Sequence, residues 1–589
     1  MPTNNVTNRT FEELFSSNIR YEIPFFQRGY AWEKRQWDTL FFDIDDQILN
    51  EISGDNDFDQ HEHFFGPIVV LEKSNSDPQL KRFLVIDGQQ RITTIYLLLA
   101  LISESLKSKS NLSEDANQYV HELDKYLKND IIDKTDDYKK LKVYSNKGDR
   151  LPLYTILFKE NPVSPYLAAD QQLYIPSHNK IDMFSNFARK KIKSYDVQKL
   201  WQLAQALLKC LKIVWIPLDE NRDDPQSIFE SLNDKGIPLS ASELLCNFIF
   251  KPLIDDVTNQ HETLHTEKWL KSIKEVGGDS NFEHYLRNLF SIEQKKMIGK
   301  GRRIYVFFKL NNKNLSKQSA FYYLNDISDC GKLYNQITNP TGYPYPNTDL
   351  KNVLIKIKQT NMESSIPFLL AILKAIKNQS LSDGDAVKIL DETLVLLVRR
   401  KICELKTTKY DTLFPSLFSK IKDEPNKVKA IQDCIRKEDL WVSNQEFEEA
   451  FINKSLYKQT ELSFARLILQ EIDKKMQSHG QLPDYSTINT IEHTMPQTLD
   501  GEWKDYLGSD VNDLNLDRIK NSLGNLCLIS RPANSFVGQD PFEKKKNSYT
   551  DVSALTRDIK ARNVKWNIAS IKDISKDLAH YGLDIWKWS

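Results

Sequence analysis

The feature that most constrains this chain is a strand that hands over directly to a long helix. Residues 82–86 (Arg-Phe-Leu-Val-Ile) are β-branched and aromatic, residues 90–106 are a long apolar stretch of helix formers, and Asp87, Gly88 and Gln89 lie between them. Residues 64–72 and 212–218 read as further strands. Strands joined to a helix of that length place the N-terminal part of the chain in an α/β arrangement. The helix is apolar without being a membrane span. Its longest unbroken apolar run, residues 95–102, is far short of the ~20 residues that crossing a bilayer requires. The polar start of the chain gives no sign of a secretory signal. Six cysteines stand apart at 210, 246, 330, 403, 434 and 527 with no Cys-x-x-Cys pair, so neither a disulfide framework nor a thiolate zinc site is indicated, and a cytoplasmic protein is expected.

The junction itself, Val85-Ile-Asp87-Gly88-Gln89-Gln90-Arg91, has the composition of an anion site. Free amides and the positive end of the dipole lie at a helix start. Gly88 lets backbone approach a ligand, Arg91 can fork onto phosphate oxygens, and a glutamine can orient a water without titrating. The same residues also suit a tight turn in which Asp87 caps the helix and pairs with Arg91, and both readings stay open at this point. A second Gln-Arg pair, Gln27-Arg28, falls in an aromatic run ending at Tyr30 and Trp32; these rings, with Trp37, also suit a core. No Gly-x-x-x-x-Gly-Lys-Ser/Thr is present, and Lys300-Gly-Arg-Arg303 lacks that spacing, which excludes a P-loop.

At 589 residues the chain is long enough for several domains. Residues 103–150 are charged and polar, as exposed helices and a solvated insertion would be. Residues 227–232 lead into a loop at 233–236, and Ser240-x-x-Glu243 is a capping-box pattern that predicts a helix running to Phe250. Residues 251–475 keep helical apolar spacing, whereas 476–589 regain Gly, Pro and Asn punctuation, as a compact loop-rich domain would. The expectation is an α+β protein, predominantly helical, divided into residues 1–250, 251–475 and 476–589. Lys plus Arg total 80 against 81 Asp plus Glu, a net charge of −1, which excludes a uniformly basic nucleic-acid coat. Local clusters at 189–193, 295–303, 399–401 and 544–546 are the candidate phosphate-backbone contacts.

The last segment carries an ordered polar set: Glu492-His493, then Asn525, Asn534 and the lysines 544–546. Phosphodiester hydrolysis needs a base that activates water, a hard cation on the phosphate and an oriented imidazole. A lone histidine means little; an ordered His, Asn, Asn set within one short domain points to that chemistry. His261-x-x-x-His265 lacks the glutamate of a His-Glu-x-x-His zinc motif and reads as an exposed helix pair. His61-x-His63 reads as a solvated loop.

Four motifs in order, Ile-Pro-Phe-Phe-Gln-Arg-Gly-Tyr-Ala-Trp at 23–32, Phe-Gly-Pro at 65–67, Ile-Asp-Gly-Gln-Gln-Arg-Ile-Thr-Thr at 86–94 and Ile-Phe-Glu-Ser-Leu-Asn-Asp-Lys-Gly-Ile-Pro-Leu at 228–239, resemble the N-terminal domain of the GmrSD family. These are modification-dependent (type IV) restriction enzymes with relatives such as BrxU and SspE. The resemblance implies a fold related to the ParB and sulfiredoxin group over residues 1–250, with NTP bound and hydrolysed at Asp87, Gly88, Gln89, Gln90 and Arg91, and Gln27 and Arg28 nearby. The base preference is not implied. Residues 476–589 resemble the HNH (ββα-metal) nuclease domain that ends such chains. By that likeness His493 is the general base, Glu492 and Asn534 are metal ligands, Asn525 fixes the imidazole or its loop, and Lys545 stabilises the phosphate. Asn534 stands where other members carry His, and oxygen and amide ligands suit Mg2+ or Mn2+ better than zinc.

The function implied is an NTP-regulated, metal-dependent DNA endonuclease of antiphage defence acting on modified phage DNA. A homo-oligomer stays open. The competing readings are a nucleotide-regulated DNA-binding protein with an inactive nuclease domain, and an RNA-directed nuclease.

Overall fold

The computed structural model describes residues 6–24, 27–50, 52, 58, 61–73, 80–109, 113–130, 140–158, 179–219, 228, 239–253, 260–477, 482–549, 553–562 and 564–589. They form two compact units, Met1–Trp269 with Phe308–Leu324 and Leu270–Phe307 with Asn325–Ser589.

The first unit is built on a six-stranded mixed sheet. Its strands are β1 (Thr7–Thr10), β2 (Ile19–Glu22), β3 (His63–Glu72), β4 (Lys81–Asp87), β5 (Val143–Tyr144) and β6 (Leu211–Leu218), in the order β1-β6-β3-β4-β2-β5. β3 runs antiparallel to β4 and parallel to β6, and β2 is parallel to both β4 and β5. The strands expected at 64–72, 82–86 and 212–218 are all present. The apolar helix is α1 (Gln89–Lys109), and the residues from Ile92 to Ser103 are all buried. It is buried almost all round because it packs in the main core with both the sheet and the surrounding helices.

Tyr30 and Trp37 are core residues as expected, and the Trp37 indole donates to the Tyr30 hydroxyl at 3.2 Å. The opposite face of the sheet carries a small cluster of Val69, Leu71, Ile86 and Leu218, onto which Ile228 and Leu239 pack. The rest of the motif expected at 228–239, including the loop at 233–236, lies outside the described residues. The capping box at Ser240 is formed, and helix α2 (Ala241–Phe250) follows it.

The charged segment 103–150 departs from the expected solvated insertion. It contains a helix, Glu114–Leu127, whose Leu123 and Leu127 are buried, and it supplies edge strand β5. Beyond β5, helix α3 (Lys147–Leu157) begins with residues that reach the candidate site.

Among its described residues the second unit is helical except for one strand pair. The helices of 325–476 include α4 (Asp383–Ile402), α5 (Asn444–Asn453) and α6 (Leu462–Met476). The C-terminal segment is more helical than its punctuation suggests: α7 (Leu516–Lys520), α8 (Arg531–Val537), α9 (Phe542–Ser548), α10 (Ala554–Ala561) and α11 (Ile568–Ile585) follow in turn. Many of these helices are only one or two turns long, too short to show a 3.6-residue period.

α5 and α6 pack on α11, so the segments on either side of residue 475 share one core. Asp473 of α6, fully buried, ties them together by accepting from the Ser553 hydroxyl (2.6 Å), the Leu555 amide (2.8 Å) and the Tyr485 hydroxyl (2.7 Å). The single strand pair is β7 (Thr490–His493) antiparallel to β8 (Leu526–Ile529), with Glu492 opposite Cys527 and His493 opposite Leu526.

All six cysteines are free thiols. No helix among the described residues is long and apolar enough to cross a membrane.

Candidate functional site

In the first unit the junction between β4 and α1 gathers the expected residues at one end of the sheet. Gly88 has φ +93°, and a Cβ there would fall 2.9 Å from the Ile68 side chain and 3.1 Å from the Ile68 and Pro67 backbone. Only glycine satisfies both the left-handed backbone and the approach of β3. Gln27 is buried, with its amide nitrogen donating to the carbonyls of Val85 (3.2 Å) and Ile86 (3.4 Å). Gln90 holds the Gln27-Arg28 loop from the other side. Its oxygen accepts from the Ala31 amide at 2.7 Å, and its nitrogen donates to the Gly29 carbonyl at 3.1 Å.

Arg28, Gln89 and Gln90, with Tyr30, Asn146 and Asp149, line a small recess that is partly open to solvent. Among the described residues, three buried polar atoms at this end of the sheet, Gln27 Oε1, Arg28 Nε and Gln89 Oε1, have no hydrogen-bond partner. Orphaned polar groups of this kind are costly unless a ligand or water satisfies them.

Arg91 and Asp87 form a separate arrangement beside β3. Arg91 donates to the Pro67 carbonyl at 3.0 Å, and its guanidinium lies 3.9 Å from the Asp87 carboxylate. Gly66, at φ +107°, leaves room for it, since a Cβ there would sit 2.8 Å from Arg91 Nε. That contact accounts for the Phe-Gly-Pro run. Burial lowers the Arg91 pKa below its ordinary value, and Asp87 opposes the shift.

Two residues of this site carry no signal in the sequence. Asp149, buried at the start of α3, accepts from the Tyr30 amide and from Asn179 Nδ2. Burial pushes its carboxyl up to about 6, against those hydrogen bonds. Asn146 donates to the Gln27 carbonyl at 3.2 Å. Both come from the segment read as a solvated insertion.

In the second unit the expected residues converge around β7. His493 ends that strand; its Nε2 lies 3.1 Å from Asn521 Oδ1, and the Tyr457 ring packs edge-on at 4.5 Å between centroids. Burial lowers the imidazole pKa to about 4, opposed by the Asn521 hydrogen bond, so the ring is neutral at pH 7. Asn525 is fully buried with every polar position used. Its oxygen accepts from the Met495 amide (2.7 Å) and the Trp566 indole (2.9 Å), while its nitrogen donates to the Met495 (2.8 Å) and Lys520 (2.7 Å) carbonyls. Asn525 therefore fixes the loop after His493, and it is Asn521 that touches the ring. Asn534, on α8, donates to the Ile491 carbonyl at 3.3 Å and so docks its helix on β7.

Lys545 does not stand where a phosphate contact was expected. It is 1% exposed, and its ammonium bridges Glu492 Oε1 (2.6 Å) and the His493 carbonyl (2.8 Å). Burial raises the Glu492 pKa despite this partner. Glu492 and Asn534 are hard oxygen donors on adjacent elements, a donor set suited to Mg2+ or Mn2+, but a cation would have to share Glu492 with Lys545. Among the described residues no group of three or more His, Cys, Asp or Glu side chains could hold a metal.

Other sequence expectations are revised. The basic run 399–401 is buried: Arg399 donates to the Trp586 and Val442 carbonyls and to Asn444, Arg400 to the Leu440 and Lys406 carbonyls, and Lys401 to the Thr360 carbonyl. These cations satisfy backbone oxygens and are closed to DNA. Arg189 pairs with Glu104 at 2.8 Å. His261 is buried rather than exposed, His265 packs on Phe250, and His63 opens β3 with Asp43 3.5 Å away.

Comparison with known proteins agrees with both ends of the chain. Residues 11–250 match the GmrSD restriction endonuclease N-terminal domain, and residues 441–581 match the GmrSD restriction endonuclease C-terminal domain. No curated protein gives a significant match. The second matched region spans α5 to α11 and contains β7, β8 and the His493 cluster, while the first contains the whole β4–α1 junction, so the chain belongs to the GmrSD restriction endonuclease family.

Proposed function

We propose that this protein is a restriction-type DNA endonuclease in which the His493 cluster cleaves the phosphodiester and the β4–α1 site binds and hydrolyses an NTP that regulates cleavage. The substrate is modified phage DNA, the setting is cytoplasmic defence, and β7, β8 and α8 form an HNH-type unit. The observation that carries the reading is the His493 cluster inside the matched C-terminal region: a half-buried, neutral imidazole held by Asn521 and by the loop that Asn525 fixes. A neutral imidazole accepts the proton of a water as its oxygen attacks phosphorus, while the bond to the leaving sugar oxygen breaks and that oxygen is protonated from solvent. A divalent cation held by Glu492 and Asn534 would supply charge stabilisation at the phosphate.

For the N-terminal site, the support is Arg28 Nε, an orphaned donor on the loop that faces the start of α1; the orphaned Gln27 Oε1 and Gln89 Oε1 accept, so a water or a ligand N–H or O–H would satisfy them. Gln90 and Asp149 hold the loop that presents Arg28. Coupling requires the nucleotide to bind the active and inactive arrangements with different affinities.

The test is cleavage of a susceptible DNA across a nucleotide titration, with Mg2+, in wild type and Arg91→Ala. Nucleotide should change the wild-type rate and leave the variant unresponsive. An unchanged wild-type rate, or an equal response of the variant, removes the gating role. DNA bound but uncut under all conditions returns the competing reading of a nucleotide-regulated binding protein.

A further inference from the structure

Asn521 belongs to no motif that the sequence displays, yet it is the side chain that meets the imidazole of His493. Its orientation follows from its other partners. Nδ2 donates to the Asp517 carbonyl at 2.8 Å, and a carbonyl can only accept, so that atom is the amide nitrogen and the other is oxygen. Oδ1 accordingly faces His493 Nε2 at 3.1 Å and also accepts from Gln497 Nε2 at 2.9 Å. An amide oxygen cannot donate, so the hydrogen bond to His493 exists only if the proton is on Nε2.

The rest of the surroundings hold Asn521 in place. Its own carbonyl accepts from the amides of Leu456 (2.8 Å) and Tyr457 (3.1 Å), and the Tyr457 ring forms one wall against His493. Lys520 donates to the Gln497 carbonyl at 2.7 Å, fixing the residue that shares the Asn521 oxygen. Among the described residues Nδ1 of His493 has no hydrogen-bond partner.

We propose that Asn521 is a positioning residue that holds His493 as the Nε2–H tautomer, so that Nδ1 is the nitrogen that accepts the proton of the attacking water. The catalytic part of this statement rests on the nuclease reading above; the tautomer does not.

The experiment uses the full chain labelled with 15N at histidine. Long-range 1H–15N correlations report which ring nitrogen carries the proton, and the His493 signals are assigned by their loss in His493→Gln. The wild type should show the proton on Nε2. Asn521→Leu should give a mixture of tautomers and a kcat lower by about 10- to 100-fold, by analogy with the loss of an outer-shell partner that orients a metal-bound histidine, with KM for DNA little changed. Asn521→Asp, which keeps an acceptor oxygen, should restore the Nε2–H signature and recover most of the lost rate. A proton on Nδ1 in the wild type overturns the proposal, and so does Asn521→Leu with both an unaltered tautomer and a wild-type kcat. If Asn521→Leu fails to fold by circular dichroism, the wild-type and Asn521→Asp spectra decide the question. Wild-type cleavage by His493→Gln alongside an Nε2–H signature would refute the nuclease role and leave the tautomer assignment standing.

Discussion

The pair of Glu492 and Lys545 permits a quantitative prediction. Their charged atoms are 2.6 Å apart, and the side chains are 6% and 1% exposed. Lys545→Met keeps the apolar stem and removes the charge, which leaves the Glu492 carboxylate buried without its counter-ion. Breaking a buried pair from one side costs about 3–5 kcal/mol. At roughly 2–4 °C per kcal/mol for a unit of a few hundred residues, the thermal midpoint of the second unit should fall by on the order of 10 °C.

The sign of the pH dependence follows from the raised Glu492 pKa, which removal of Lys545 raises further. With the folded pKa above the unfolded one, the native state holds the extra proton between the two values. Stability therefore falls as pH rises through that window, and the defect of Lys545→Met should shrink on acidification. Glu492→Gln with Lys545→Met should be more stable than Lys545→Met alone, because no buried charge is left unpaired. Melts followed by near-ultraviolet circular dichroism, read for each transition separately, measure all three variants. A midpoint within 1 °C of wild type for Lys545→Met, or a double variant no better than the single, would refute the reasoning.

Three further outcomes are expected in the first unit. Gly88→Ala forces a Cβ into the Ile68 and Pro67 backbone at a φ of +93° and should cost about 1–3 kcal/mol, with a loss of NTP turnover, measured by phosphate release and thermal melts. Gln90→Ala removes both hydrogen bonds to the 29–31 loop and should raise KM for nucleotide more than it lowers kcat, since its role is to hold that loop; an unchanged KM would contradict this. The Asp149 carboxyl, raised from 3.8 to about 6, makes the first unit lose roughly 3 kcal/mol between pH 4 and 6 as pH rises. Asp149→Asn should abolish that part of the slope in melts run across a pH series, and an identical slope in the variant would rule the assignment out.

The strand-to-helix junction was legible in the sequence because both of its runs are long and distinct in composition: β4 is a seven-residue strand rich in β-branched and aromatic residues, and α1 a twenty-one-residue helix with a long apolar stretch. The capping box at Ser240 was equally readable, since it is a contact between residues three apart. What the sequence hid were contacts between residues far apart in the chain. Asp149 reaches Tyr30, and Asn146 reaches Gln27, across 119 residues in each case, from a segment whose local composition is that of a solvated surface.

The same limit explains the basic runs. Arg399-Arg400-Lys401 reads as a surface patch, but each cation is turned inward onto carbonyls that only the folded helices bring together. At the C-terminal site the motif located the right loop and strand. The resemblance gave Asn525 the imidazole or its loop; the fold gives Asn525 the loop, and the ring goes to Asn521, which no motif marks.

Purified full-length wild type and His493→Ala, incubated with phage DNAs that carry different base modifications, with and without NTP and Mg2+, test the central claim most directly. The wild type should cut at least one modified DNA in the presence of the divalent cation. His493→Ala should lose about 10²–10⁴ in cleavage rate, as removal of a general base does, while folding and NTP hydrolysis persist. Cleavage by His493→Ala at the wild-type rate would contradict the account.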